Sequence, residues 1–294
     1  MPSHYTDTDG VTDFKNEADV FYSQWREGFG HGRTNNEGYV NLTDYTPGMN
    51  IEILITGTSH MEAHNVNQED SAASLLGSAY GMKVYNAAVS GQSFASLAAG
   101  LKAGVKKYKP SKFAVIETGS VNFTENEISS IINDKVKRQP PHDKGIVAAL
   151  RRVSFLRLMY HQFVKPLLKE ERKPEKPAGR EILSQMLAKL NDDVSLSGAK
   201  LIIAYHPPVS LNNDGSMKIN DDPQIVKQFS ELCADNGIYF INMAGRFLDE
   251  YRENHTLPYG FVNTSVGKGH MNKAGHRIFA AEIYRLIQGT EAES

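Results

Sequence analysis

A chain of 294 residues, 40% hydrophobic and 22% charged, has an ordinary globular composition and enough length for one large α/β domain with a substantial core. A net charge of −2 argues against a general nucleic-acid binder, and a single cysteine, Cys233, excludes an intrachain disulfide. No run approaches the roughly 18 apolar residues of a membrane helix, and Met1-Pro2-Ser3-His4-Tyr5 has no apolar signal core. The compartment stays open; an extracytoplasmic, envelope-associated setting is the expectation if an upstream signal or anchor has been removed.

Residues 1–50 are polar, aromatic and dotted with turn signals at Asp9-Gly10, Asn35-Asn36-Glu37-Gly38 and Pro47-Gly48. They read as an extension of short strands with a helix near Glu17–Trp25, packed onto a main domain of residues 51–294. From Ile51 short apolar runs alternate with amphipathic stretches of 12 to 20 residues, which is the pattern of βαβ units and a parallel sheet.

The predicted strands are Ile51–Thr56, Lys83–Ala88, Phe113–Thr118, Lys200–Tyr205 and Ile238–Asn242, apolar enough to be buried on both faces. The predicted helices are Asp70–Tyr80, Ser93–Tyr108, Ile182–Asp192, Pro223–Asn236 and Asn272–Gln288. Cys233 falls on an apolar helix face, where thiol chemistry is not expected.

Residues 125–198 exceed a single crossover and read as an insertion between the third and fourth strands. They contain an apolar and basic helical pattern over Ile146–Lys169 and a loop at Lys173-Pro174-Glu175-Lys176-Pro177. Between Lys135 and Arg180 there are 13 basic and 4 acidic residues, a local charge of +9 that leaves −11 for the remainder. The insertion is therefore a candidate cap, or a surface for an anionic partner such as a cell envelope; a solvated basic helix face is the plainer alternative.

In open α/β sheets ligands bind beyond the carboxyl ends of the strands. Gly57-Thr58-Ser59-His60 follows the first strand, Val89-Ser90-Gly91-Gln92 the second, Gly119-Ser120-Val121-Asn122 the third and His206-Pro207-Pro208 the fourth. His270 opens the last helix. Acyl transfer needs a nucleophile, a base and oxyanion donors, and Ser59, His270 and the trio of Ser59 N–H, Gly91 N–H and Asn122 side chain fill those roles. His60 and His206 are substrate-binding candidates. His60 and His64, four apart, lack a third ligand at metal-binding spacing, so no metal site is expected from them, and the resemblance described next implies neither a metal nor an organic cofactor.

Ser59, Gly91, Asn122 and His270, in that order after successive strands, resemble the four blocks of the SGNH (GDSL-like) hydrolase superfamily over about Ile51 to Ile287. The resemblance implies a flavodoxin-like three-layer αβα sandwich, with hydrolysis or transfer of ester-linked acyl groups. Bacterial esterases and polysaccharide O-acyltransferases are nearest in pattern, which makes a small acyl ester, such as acetyl on a carbohydrate, the expected substrate.

Three positions depart from that pattern. Thr58 stands where aspartate usually precedes the serine, Gly119 and Asn122 are one residue further apart than usual, and Gly267 occupies the position of the catalytic aspartate. The minimal reading is a Ser59–His270 dyad. A backbone carbonyl near Gly267, or a carboxylate from elsewhere such as Glu117, is then left to orient the ring. The competing reading is a non-catalytic glycan-binding or assembly module on a degenerate fold; a flavin or nucleotide binder is disfavoured because no glycine-rich phosphate loop follows the first strand.

Overall fold

The computed structural model describes residues 4–8, 11–136, 176–265 and 267–292, with side chains from residue 16 onward. Four short strands come first: β1 (His4–Thr8), β2 (Val11–Lys15), β3 (Phe21–Gln24) and β4 (Gly30–Arg33). Then follow β5 (Ile53–Thr56), α1 (Ser59–Glu62), α2 (Ala72–Ser78), β6 (Val84–Asn86), α3 (Phe94–Tyr108), β7 (Phe113–Thr118) and α4 (Glu125–Ile132). The remainder is α5 (Arg180–Ser195), β8 (Lys200–Tyr205), β9 (Val209–Leu211), β10 (Met217–Ile219), α6 (Pro223–Asp235), β11 (Tyr239–Asn242), α7 (Ala244–Asn254) and α8 (Lys273–Ala292).

Five strands pair in parallel in the order β11-β8-β7-β5-β6. Numbered along the chain this is 2-1-3-4-5, the flavodoxin-like order, with the switch point between β5 and β7. Alternation along each strand divides the core into two layers. Leu54, Ala114, Ile116, Leu201 and Ile203 face α3, α5 and α6, while Ile53, Ile55, Val115, Ile202 and Ala204 face α2 and α8. All ten are fully buried, which is why these runs read as continuously apolar in the sequence.

The helices start where the sequence offers caps. The hydroxyls of Ser71, Ser93 and Thr124 and the carboxylate of Asp222 each accept a backbone N–H of the first turn, worth about 1 kcal/mol apiece. No helix among the described residues is long and apolar enough to cross a membrane.

Two expectations are corrected, and further elements are added. Residues 17–25 form no helix: Asp19 turns at φ 56° and β3 follows, with Tyr22 buried between exposed Phe21 and Ser23, a period of two. Most of the described flank of the expected insertion belongs to the sandwich, since α5 is the crossover helix from β7 to β8 and packs Met186, Leu187, Leu190 and Val194 into the core. The Ile146–Lys169 pattern lies outside the described residues. Finally, α7 and the β9–β10 hairpin are additional; α7 buries only Phe247, too thin an apolar stripe to stand out.

Residues 16–45 are fastened to the sandwich by polar contacts. Asn41 donates to the Asn86 carbonyl at 2.9 Å and accepts the Asn86 N–H at 2.8 Å. Asn35 donates to the Tyr85 hydroxyl at 3.1 Å, and Glu37 accepts from Tyr108 at 2.6 Å while pairing with Lys107. The β3–β4 hairpin lies so close to the domain that a Cβ at Gly30 would stand 2.2 Å from the His64 carbonyl. This docking carries the loop at residues 25–29 to the carboxyl edge of the sheet.

Candidate active site

Ser59 is the first residue of α1, immediately beyond β5. Its predecessor Thr58 is the N-cap, and the buried carboxylate of Glu117 at the end of β7 fixes that residue. Glu117 accepts the Thr58 N–H at 2.5 Å and the Thr58 hydroxyl at 3.0 Å, and pairs with His206. Burial opposes the charge on Glu117. The attraction and hydrogen bond of His206, with help from the Thr58 N–H, outweigh it and hold the carboxyl down at about 2. Glu117 is thus an ionised anchor beneath the turn that presents Ser59.

His270 Nε2 lies 2.9 Å from Ser59 Oγ. The other ring nitrogen, Nδ1, lies 2.6 Å from Glu27 Oε2, and the second oxygen of the same carboxylate accepts the His270 backbone N–H at 2.6 Å. An ionised carboxylate only accepts, so Nδ1 carries the proton and Nε2 is left as the acceptor for the serine hydroxyl. That is the tautomer a general base requires. The dyad expectation is corrected accordingly: Gly267 supplies nothing to the ring, Glu117 is engaged with Thr58 and His206, and the carboxylate comes from the N-terminal hairpin.

Glu27 is held in place from both sides. Asn65 donates to its carbonyl at 2.8 Å, and Asn263 accepts the Gly28 N–H at 2.9 Å while donating to the Trp25 carbonyl at 3.0 Å. Gly28 turns at φ +75°, where a Cβ would meet the Asn65 carbonyl at 2.3 Å. On the opposing strand of chain, Gly269 has φ +89°, and a Cβ there would stand 2.0 Å from Glu27 Oε1. Two glycines therefore admit the carboxylate. Nothing in the sequence spacing points to Glu27; the one signal is negative, a glycine where a carboxylate is expected.

A cleft of about 450 Å³ over Ser59 is lined also by Gly91, Gln92, Thr118 and Asn122. Gly91, at φ +77° with open space around it, exposes its backbone, and Asn122 is exposed at the rim. The loop bearing Gly91 is tied down by a second buried carboxylate the sequence reading missed: Glu62, at the end of α1, accepts the Ser90 N–H at 3.1 Å and pairs with the Ser90 hydroxyl. Glu62 also accepts from Asn16 at 2.7 Å.

The histidines divide by environment. Burial, then the proximity of His206, pushes the His60 ring down to about 3, so it is neutral. Its Nδ1 accepts the Met271 N–H at 3.1 Å. His206 is buried at 2% exposure, with one ring nitrogen on Glu117 and the other 2.8 Å from the Tyr259 hydroxyl, so as a substrate-binding candidate it has no free ring nitrogen to offer. His276 is buried within α8 and accepts the Ala72 N–H at 3.2 Å. His60 and His64 do not share a helix face: α1 ends at Glu62, Ala63 turns at φ 62°, and His64 packs against Tyr22. Among the described residues no cluster of three metal-ligating side chains occurs.

No protein-family model matches the chain, and no curated protein does. Solved structures do. TesA is 16% identical, covering 79% of this chain and 96% of its own with a TM-score of 0.42. An acetyl xylan esterase, AlAXEase, is 12% identical over 80% of this chain and 99% of its own, TM-score 0.46. A GDSL-like lipase from Bacteroides thetaiotaomicron is 14% identical over 81% and 88%, TM-score 0.41. In this chain itself, the sheet order and the gathering of Ser59, Gly91, Asn122 and His270 at one edge form the arrangement that an SGNH resemblance implies.

Proposed function

We propose that the protein is a serine-dependent ester hydrolase or O-acyltransferase in which Glu27, His270 and Ser59 work as a triad. The observation that carries this reading is the continuous chain of contacts from Glu27 Oε2 to His270 Nδ1 at 2.6 Å and from His270 Nε2 to Ser59 Oγ at 2.9 Å. The second distance lies within the roughly 2.6 to 3.2 Å reach of direct proton transfer.

In the first step Ser59 Oγ attacks the ester carbonyl while its proton passes to His270 Nε2. The carbonyl electrons move to oxygen, where the N–H groups of Ser59 and Gly91 and the side-chain amide of Asn122 receive the charge. Collapse breaks the bond to the alcohol, and His270 returns the proton to the departing oxygen. Glu27 stabilises the imidazolium between these events and does not itself take the proton. The acyl-Ser59 intermediate is then resolved by water, or by a second alcohol, with His270 again receiving a proton. The residues that accelerate the first half are the same in either case.

The acyl group is a small one such as acetyl, and its carrier a carbohydrate. The Gly57-Thr58-Ser59-His60 block, the long insertion and the polar region before the sandwich prompt that part of the reading, and the size of the cleft agrees with it. The alternative of a non-catalytic glycan-binding module draws on Gly267 and on the basic insertion; Glu27 on the ring answers the first, and most of the insertion lies outside the described residues.

The test is hydrolysis of p-nitrophenyl acetate by the wild type and Ser59→Ala. Ser59-dependent release of nitrophenolate supports the reading, and equal rates in folded wild type and variant refute it.

A further inference from the structure

Beside the cleft over Ser59 lies a second recess of about 270 Å³, bounded by His60, Gly119, Pro208, Val209, Gly267 and Lys268. The two share His60 and Gly119 as lining and so are adjoining lobes. The walls of the second lobe are built to leave room. Gly119 and Gly267 contribute no side chain, and Gly269, which also lines it, can carry none because its Cβ would collide with Glu27. With the carboxylate delivered from residue 27, position 267 is free to be empty.

The chemistry decides what each lobe receives. The oxyanion donors Gly91 and Asn122 line the first lobe. The alcohol oxygen must leave within reach of His270 Nε2, because the imidazole that accepts the Ser59 proton has to hand it on. The second lobe is walled by Gly267, Lys268 and Gly269, the residues that run directly into His270. The alcohol half of the ester therefore points there.

The lobe offers an apolar floor of Pro208, Val209 and Tyr259, and His60 in its wall has one ring nitrogen to spare. His60 Nδ1 is occupied by the Met271 N–H, so in the neutral ring Nε2 carries the hydrogen. Nε2 has no hydrogen bond among the described residues. An apolar surface with one fixed donor and Lys268 at the rim suits a ring that has both an apolar face and hydroxyl oxygens. A recess of this size accommodates about one such ring.

We infer that this second lobe is the alcohol-side subsite, that it takes a single pyranose-sized polyol ring, and that His60 Nε2–H is its positioning donor. The inference rests on the Ser59 acyl-transfer reading and goes further by assigning a residue and a ligand class to one half of the substrate.

The experiment compares two esters with the same acyl group, ethyl acetate and an O-acetyl methyl hexopyranoside, by pH-stat titration with full-length protein. The wild type is expected to favour the sugar ester by tenfold or more in kcat/KM. His60→Phe and Val209→Trp, checked for native circular dichroism, should each lower that preference at least tenfold, and His60→Gln, which keeps a donor, should restore part of it relative to His60→Phe. If a variant fails to fold, the wild type alone still decides, because the deacetylated methyl hexopyranoside should compete with the sugar ester or accept acetyl from it.

A wild-type preference below twofold, or one that survives both folded variants, or a hexopyranoside that neither inhibits nor accepts, overturns the inference. Stoichiometric fluorophosphonate labelling of wild type but not Ser59→Ala separates the two claims: labelling with no sugar preference removes the subsite alone, and absence of labelling removes the acyl-transfer reading beneath it.

Discussion

Glu27 and His270 are 243 positions apart in the chain, yet one carboxylate contacts both the ring and the backbone N–H of the histidine, each at 2.6 Å. The two-point grip fixes the position of His270 and the rotation of its ring together. A site whose proposed nucleophile and base belong to the sandwich is thus completed by a hairpin that precedes the sandwich.

Glu27→Gln should lower kcat severely while leaving the fold intact. An amide nitrogen facing Nδ1 favours the wrong tautomer, and the comparable change in the serine-protease template costs about ten-thousandfold in turnover. We expect a loss on the order of a hundredfold to ten-thousandfold with KM little changed, read by steady-state hydrolysis of a p-nitrophenyl ester. A kcat within threefold of wild type would show that the ring is oriented without the carboxylate.

Gly269→Ala tests the same contact from the other side. Its Cβ would meet Glu27 Oε1 at 2.0 Å, and the residue would have to hold φ +89°. The backbone conformation alone costs about 1 to 2 kcal/mol for a non-glycine residue. The expected outcome is a lower thermal midpoint and a loss of kcat approaching that of Glu27→Gln. Hydrolysis at the wild-type rate would mean that the carboxylate has room to move.

Much of the sheet was legible because β5, β7 and β8 are buried on both faces, so Ile53–Thr56, Phe113–Thr118 and Lys200–Tyr205 stand out as apolar runs. Ser59, Gly91 and Asn122 were legible because a parallel sheet delivers every strand's carboxyl end to one edge. Glu27 was not, since its place follows from tertiary docking through Asn65 and Asn263, which no local period encodes. The segment leading to it reads as a helix in the sequence because its exposed Phe21 and Trp25, four apart, resemble an amphipathic stripe when burial is unknown.

Asn122→Ala should cost about a hundredfold to a thousandfold in kcat, the usual effect of removing one oxyanion donor. Asn122 is exposed and its side chain supports no described hydrogen bond, so stability should stay within about 0.5 kcal/mol in a urea titration. Loss of activity without loss of stability identifies a transition-state donor; unchanged kcat would remove Asn122 from that role.

Stability should fall steeply with acid. His60 and His276 are each held down to about 3 by burial, first of all, and by their histidine neighbours. Their folded values lie below the unfolded value near 6.5, so the unfolded state binds the extra protons and stability rises with pH across that window. Between pH 6.5 and pH 5 each should remove on the order of 1 to 2 kcal/mol. Glu117, depressed to about 2, contributes fully above pH 4.5, and its contribution is lost as pH falls from 4.5 toward 2. Urea midpoints at pH 7, 6 and 5 should therefore decline; a flat or rising series would contradict the neutral burial of these rings.

The account is tested most directly by the rate at which a fluorophosphonate modifies Ser59, followed by intact mass and peptide mapping in wild type, Ser59→Ala and Glu27→Gln. The triad predicts one adduct, on Ser59, formed at least a hundredfold more slowly in Glu27→Gln and not at all in Ser59→Ala. Labelling of Glu27→Gln at the wild-type rate, or an adduct on another residue, would contradict it.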